Sequence, residues 1–355
     1  MTDHQDRPDF QNASCPLPIL DHDTVQLAHG AGGRLSSDLI EKMILPRFAS
    51  DELNKMEDQA VLDLPPGRLA FSTDTFVVSP LFFPGGDIGD LAINGTVNDV
   101  AMSGADPVAL SVGFVLEEGL PLSDFHRILC SMEAAARSAG VRIVTGDTKV
   151  VGKGSCDKIF INTSGVGIIP AGVNLSAASL KPGDKIILSG TLADHGMAVM
   201  TVREGLSFQS SVQSDTAALN GLTRLILETC PEVRTMRDPT RGGCATTLNE
   251  FATASNVGIQ LDGNALPVRP DVMAACEILG IDPLYVANEG KLVAVVPGEA
   301  ADQVVAALRR QPLGRDAVVI GQVVAEHPGT VTLKTGLGAE RIVDMPIGEQ
   351  LPRIC

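Results

Sequence analysis

Between residues 68 and 169 the chain alternates short β-rich runs with longer stretches whose apolar positions fall at helical spacing. The run "RLAFST" (68–73) predicts a strand ending at Asp74. The stretch "DIGDLAINGTVNDVAMSGA" (87–105) carries Leu91, Ile93, Val97, Val100 and Ala101 on a helical period, and "PVALSVGFVLEE" (107–118) reads as the next strand. An amphipathic helix is expected over 124–140, with Ser123 as N-cap and Gly140 as C-cap. Strands over 141–147 and 158–169 close the first half. The turn "KPGDK" then opens a second alternation. Its helices are expected near 194–205, 216–229, 243–256 and 299–310, and its strands near 257–262, 291–297 and 316–325.

This pattern predicts two α/β domains, each a sheet with helices packed on it, the strands either parallel or mixed. The expected division is a disordered N-terminal extension over 1–24, a first domain over 25–172, a second over 173–343 and a flexible tail over 344–355. The extension is polar and proline-dotted, and the tail has two prolines and a glycine, which disfavour helix and strand alike. From Met345 to Cys355 such a tail spans up to ~33 Å when extended.

Composition narrows the function. With 27 basic residues against 43 acidic ones the net charge is −16, which disfavours nucleic-acid backbones and anionic membranes. Tryptophan is absent and Tyr285 is the one tyrosine, so stacking on bases has little to use. No apolar run reaches the length of about 18 residues that a membrane helix needs, and the first residues lack the apolar core of a signal peptide. Seven cysteines, an odd count without CxxC spacing, argue against a disulfide framework or a zinc site and fit a reducing cytoplasm. His126 and Cys130 stand at helical spacing, which reads as helix packing rather than a metal pair.

Four aspartates recur at predicted strand ends or in small-residue turns: Asp74, Asp99, Asp147 and Asp238. Each alone reads as a turn residue or helix cap; four in similar contexts suit Mg²⁺ held against a polyphosphate. "HGAGG" (29–33) and "DPTRGG" (238–243) each precede a helical pattern, where backbone amides can meet an anion. The chain contains neither GxxxxGK[ST] nor GxGxxG, so nucleotide binding would follow an aspartate-and-magnesium scheme. Lys149 is either a surface lysine or a charge on phosphate or a reacting carbonyl. Glu289, in "VANEGK", is a cap, a surface carboxylate or a general base. Cys355 is a chance last residue or a thiol placed for access.

Together, "HGAGG", the block from 71 to 107, "TGDTKVV", "REGLSF", "MRDPTRGG", "ANEGK" and the terminal "PRIC" resemble the HypE family of hydrogenase maturation factors, over Val25 to Cys355. More distantly, the chain is similar to the ATP-dependent superfamily of aminoimidazole ribonucleotide synthetase, selenophosphate synthetase and thiamine-monophosphate kinase, which lack the terminal cysteine. The resemblance implies that superfamily's two-domain α/β (α+β) fold, ATP and Mg²⁺ as cofactors, and a homodimer paired through the first domain. It implies that Cys355 receives a carbamoyl group from a HypF-type carbamoyltransferase. ATP-dependent dehydration would turn the S-carboxamide into a thiocyanate. The cyano group would pass to iron on a HypC–HypD complex, toward the NiFe(CN)2CO centre of nickel–iron hydrogenase.

Carried onto this chain, the resemblance assigns Asp74, Asp99 and Asp238 to Mg²⁺ and phosphate. Asn98, Asp147, Thr148, Gly30, Gly32, Gly33, Thr240, Gly242 and Gly243 become nucleotide-binding candidates. Lys149 would polarise the phosphorylated carbonyl, Glu289 would take the nitrogen protons and Cys355 would carry the substrate. His195, in "LADHGMAVM", reads as a helix-start residue. Two rivals stand beside this reading: a superfamily kinase or ligase that would not need Cys355, and a non-catalytic scaffold that binds partners through its tail.

Overall fold

The computed structural model describes residues 17–18, 20–205, 212–347 and 354. Short helices α1 (Arg34–Leu39) and α2 (Leu45–Phe48) precede strand β1 (Arg68–Phe76) and the small ribbon β2 (Phe82–Phe83) and β3 (Gly86–Asp87). Helix α3 (Ile88–Met102), β4 (Asp106–Glu117), α4 (Leu122–Ala139), β5 (Arg142–Val151) and β6 (Ile159–Ile169) follow. The second half runs β7 (Lys185–Leu188), α5 (Asp194–Arg203), α6 (Asn220–Thr229), β8 (Thr235–Arg237), α7 (Gly243–Ser255), β9 (Gly258–Asp262) and α8 (Pro270–Leu279). It ends with β10 (Val293–Val296), α9 (Ala301–Leu308), β11 (Val318–Val324), β12 (Val331–Lys334) and β13 (Glu340–Ile342).

Two sheets result, and both are mixed. The first has the order β1-β6-β4-β5 and the second β13-β12-β9-β11-β7-β10-β8. Of the pairings in them, β4 with β5 and β9 with β12 are parallel and the others antiparallel. Helix α3 is buried along nearly its whole length: most of its residues are apolar or small, and its buried Asp90, Asn94 and Asn98 are hydrogen-bonded. It lies against β1 and β6 of the first sheet and also meets α4, α6 and β8. That placement makes α3 the joint between the two halves. Among the described residues no helix is long and apolar enough to cross a membrane.

The structure corrects several boundaries. Residues at the end of the expected extension are anchored: Leu20 packs on the apolar core, and Thr24 bridges to Pro121. The Leu122 amide donates to the Asp23 carbonyl at 2.9 Å, so α4 opens at Leu122 with Pro121 as N-cap, and Ser123 lies inside it. Gly140 does close that helix, in the left-handed conformation. Helix α8 and strands β8, β12 and β13 had no expectation in the sequence, being short or lacking a clean period. Of the expected tail, Met345 and Ile347 are exposed and Ile354 is buried, while 348–353 and Cys355 lie outside the described residues.

Candidate active site

Strand β1 and helix α3 bring the first carboxylates together. Asp74 lies inside β1, paired with Thr163, rather than at a strand end. Its Oδ1 accepts the Thr75 amide at 2.7 Å. Asp99 stands on the last turn of α3 and accepts the Ser72 hydroxyl of β1 at 2.8 Å. Asp238 directly follows β8 and is buried. Burial pushes its carboxyl up to about 7, reinforced by the neighbouring charge of Asp99. Burial likewise raises Asp74 and Asp99, with Arg241 opposing the rise in both. Three carboxylates from three elements thus share one field, with Arg237 and Arg241 beside them.

Glu289 completes this group from the loop ahead of β10. Its side chain is 2% exposed, and its buried Oε1 has no hydrogen-bond partner among the described residues. Burial, then Asp238, Asp215, Asp74 and Asp99, push its pKa well above the usual carboxyl range. The Glu289 backbone is held at both ends. Its amide donates to Asp215 Oδ1 at 3.2 Å, and its carbonyl accepts from Asn98 Nδ2 at 3.2 Å. Asn98 also donates to the Ala217 carbonyl at 3.0 Å and accepts the Leu219 amide at 2.8 Å. Asn98, a nucleotide candidate by sequence, therefore has its amide committed to the protein's own backbone, where it fixes the Glu289 loop to α3.

The glycine turns divide. In "DPTRGG", the Gly243 amide is bonded to the Thr240 carbonyl at 2.9 Å, and Thr240 donates to the Asp238 carbonyl at 3.0 Å. Gly242 and Gly243 both have left-handed φ, 73° and 61°, at the entry to α7. In "HGAGG", Gly30 packs against β5, since a Cβ there would lie 2.8 Å from that of Val150. The Gly32 amide is bonded to Ser36 Oγ at 3.0 Å, and Gly33 caps the short helix α1. Gly30 and Gly32 line a cavity of about 330 Å³ with Asp147, Thr148 and Lys149.

This second group does not join the first within one chain. Asp147 and Lys149 lie in the middle of β5, at the opposite edge of the sheet from β1. Three strand spacings, about 14 Å, separate those edges. Lys149 Nζ reaches both oxygens of Asp147, at 2.6 and 2.8 Å, with both side chains two-thirds exposed. That bond from Lys149 holds the Asp147 carboxyl below its usual range. The resemblance assigned Lys149 and Glu289 to one site; the strand order puts Lys149 at the sheet edge opposite Asp74, the carboxylate of β1 that shares a field with Glu289.

Near the end of the chain, Ile354 comes to His195, a neighbour of Asp215. Ile354 is buried, and its carbonyl lies 3.0 Å from Nε2 of His195, near the start of α5. Asp215 neighbours both His195 and Glu289 and pairs with the buried Lys291 at 3.1 Å. Burial pushes Asp215 up most strongly, but the Lys291 ammonium, His195 and the Glu289 amide together outweigh it and hold the carboxyl below the usual range.

The comparisons with known proteins fall on this architecture. Family models described as AIR synthase related protein match here, the N-terminal domain over residues 56–169 and the C-terminal domain over 181–334. A protein of Azotobacter vinelandii named carbamoyl dehydratase HypE is 54% identical over 332 residues, covering 94% of this chain and 97% of its own. The chain belongs to the HypE family. The crystal structure of a hydrogenase maturation protein HypE in complex with ATP is 49% identical, with a TM-score of 0.90, covering 94% of this chain and all of that one. A HypE chain in a HypE–HypF complex is 46% identical, with a TM-score of 0.77, over 88% of this chain and all of that one.

For this HypE-family chain, sequence reasoning missed Asp215, Lys291, Arg237 and Arg241. Lys291 was within sight, two residues after Glu289 in the same motif. Asp215 stands just before the helix expected over 216–229, where its local pattern reads as no more than a helix cap. His195 stands at the helix start expected of it, yet it is fully buried and bonded. The expected packing of His126 and Cys130 along α4 has Sγ 3.7 Å from Nε2. Among the described residues no three His, Cys, Asp or Glu side chains converge to hold a metal unaided.

Proposed function

We propose that the chain is an ATP-dependent carbamoyl dehydratase that converts the S-carboxamide on its own Cys355 to a thiocyanate. The observation that carries this reading is that Asp215 neighbours both His195, which bonds the Ile354 carbonyl, and Glu289, whose buried Oε1 has no hydrogen-bond partner among the described residues. An amide oxygen is a poor leaving group, so loss of water requires that ATP phosphorylate it; phosphate then leaves, and both N–H protons must go. Products are ADP, phosphate and the thiocyanate. Glu289 is the base for the nitrogen protons. A buried carboxyl whose pKa is raised is a stronger proton acceptor when ionised than one in water.

Asp74, Asp99 and Asp238 fit a site for Mg²⁺ with phosphate. They are partly or wholly buried, Asp74 raises the proton affinity of Asp99, both raise that of Asp238, and arginines are near. Magnesium takes a few carboxylates and completes its shell with phosphate oxygens and water. When bound, Mg²⁺ would neutralise charge on the phosphates. Arg237 and Arg241 are further cations for that charge. The described internal cysteines support Cys355 as the acceptor. None is in a disulfide, and burial pushes Cys244 up to about 12 and Cys276 up to about 11, where the thiolate is scarce. The odd cysteine count without CxxC spacing supports a cytoplasmic location.

The partners follow from the same reading: a HypF-type carbamoyltransferase as donor and a HypC–HypD complex as acceptor. A homodimer paired through the first sheet is also proposed. Leu69, Phe71, Thr73 and Thr75 alternate on an open face of β1, with Phe71 71% exposed. A second copy is then the source of a Lys149 for each Glu289. The test is intact-mass spectrometry of the chain with HypF, carbamoyl phosphate and ATP. Gain of one carbamoyl group, then ATP-dependent loss of one water, is the expected result. Turnover of ATP on a small molecule without any change in chain mass would instead favour a superfamily kinase.

A further inference from the structure

The bonds that hold Ile354 have one possible direction. Its carbonyl only accepts, so His195 Nε2 carries the proton at that 3.0 Å contact. Burial pushes the imidazole pKa down, so the ring is neutral and Nδ1 is an acceptor. Nδ1 lies 2.8 Å from Ser214 Oγ. Ser214 Oγ accepts the Thr216 amide at 3.1 Å, and since Nδ1 carries no proton, the Ser214 hydroxyl is the donor to it. Thr216 N–H, Ser214, His195 and the Ile354 carbonyl thus form one chain of donors, and backbone groups of fixed polarity at its two ends set the tautomer. The ring itself is stacked edge-on against Phe83 of the first half at 5.4 Å, and the Ser214 amide donates to the Pro84 carbonyl at 2.8 Å.

The residue after Ser214 does the matching task for the base. Asp215 receives the Glu289 amide and pairs with Lys291. One dipeptide, Ser214–Asp215, therefore sets both the position of the chain end and the position of Glu289. Ile354 adds a second hold, since its side chain is 3% exposed and belongs to the apolar core.

We propose that His195 is a positioning residue for the chain's own C-terminus: its Nε2–H, oriented by Thr216 and Ser214, fixes the Ile354 carbonyl and so sets where the thiol one peptide bond further on is delivered. This rests on the reading of Cys355 as carrier of the carbamoyl group, and two readouts separate the two ideas. The first uses the full chain without ATP or partners. The alkylation rate of Cys355, resolved from the other cysteines by peptide mass spectrometry, reports how firmly the chain end is held. His195→Phe keeps a ring against Phe83 and removes the donor; it should raise that rate about fivefold or more. Ile354→Ala, at the chain end where the fold is not at risk, should raise it similarly. His195→Gln returns an N–H near Nε2 and should fall between.

The second readout is single-turnover dehydration of the carbamoylated chain at saturating ATP. His195→Phe should slow it about tenfold, with partial rescue in His195→Gln and with carbamoyl acceptance and ATP affinity unchanged. Equal alkylation rates in the parent, His195→Phe and Ile354→Ala would overturn the proposal. So would a Gln variant no better than Phe in both readouts, since shape alone would then suffice. Faster alkylation in the variants of a parent that never forms thiocyanate would sink the carbamoyl reading and uphold the clamp.

Discussion

Glu289 and Asp238 are carboxyls that the fold keeps from water, and each is held against its own ionisation. Replacing Glu289 by Gln keeps the shape and the backbone bonds and removes the basicity. The variant should accept the carbamoyl group and accumulate it with ATP present, with dehydration slowed at least about a hundredfold. Normal thiocyanate formation would assign the base elsewhere. Asp238 gives a pH signature. Its folded pKa, about 7, lies above the ordinary carboxyl value of 3.8. The raised value means that its contribution to stability is complete below the unfolded pKa and is lost as pH rises from about 4 through about 7. Asp238→Asn does not titrate. Without Mg²⁺ or ATP, the Asn variant should therefore gain on the parent, in urea midpoint, between about pH 4 and about pH 7. A constant difference across that window would refute the raised pKa.

At the scale of elements, the entry to α7 shows why one glycine is not another. Gly243 has φ of 61°, and a Cβ on it would lie 2.5 Å from the Leu284 carbonyl oxygen and 2.7 Å from that of Val286. Both are backbone atoms that cannot swing aside. Gly32 has φ of 75° with nothing within 4 Å. Gly243→Ala should cost about 2–4 kcal/mol in denaturant unfolding, against about 1 kcal/mol for Gly32→Ala. Similar losses at the two sites would mean that the α7 entry yields more easily than its packing implies. Sequence marked both turns as glycine-rich, and in neither could it distinguish a phosphate cradle from a tight crossing.

At the scale of the whole molecule, the separation of Lys149 from Glu289 makes a prediction that one chain alone cannot meet. If two copies pair through the open face of the first sheet, a site takes Glu289 from one copy and Lys149 from the other. Lys149→Ala and Glu289→Gln should then each be inactive alone and, once mixed and exchanged, recover up to about a quarter of parental dehydration, because half the dimers carry one intact site of two. Mixing without recovery, when exchange is shown by mass spectrometry, would mean that each chain works with its own residues. Phe71→Glu should weaken pairing, read as a shift toward monomer in sedimentation, since a charge would be buried in an apolar contact.

The sequence by itself determined the alternation of strands and helices, the family, and the residues worth watching, because apolar period and short motifs are local properties of the chain. Asp74, Asp99, Asp238 and Glu289 could be named from it, although Asp74 proved to lie within a strand and Asp99 on a helix. Tertiary structure decided which of them share a field, since β1, α3, β8 and the loop before β10 meet only through packing. It moved Lys149 to the far sheet edge, committed Asn98 to backbone, and gave Asp215 and His195 their partners from distant segments. Those facts depend on strand order and on contacts between residues 74 to 191 positions apart, and local pattern carries no record of either.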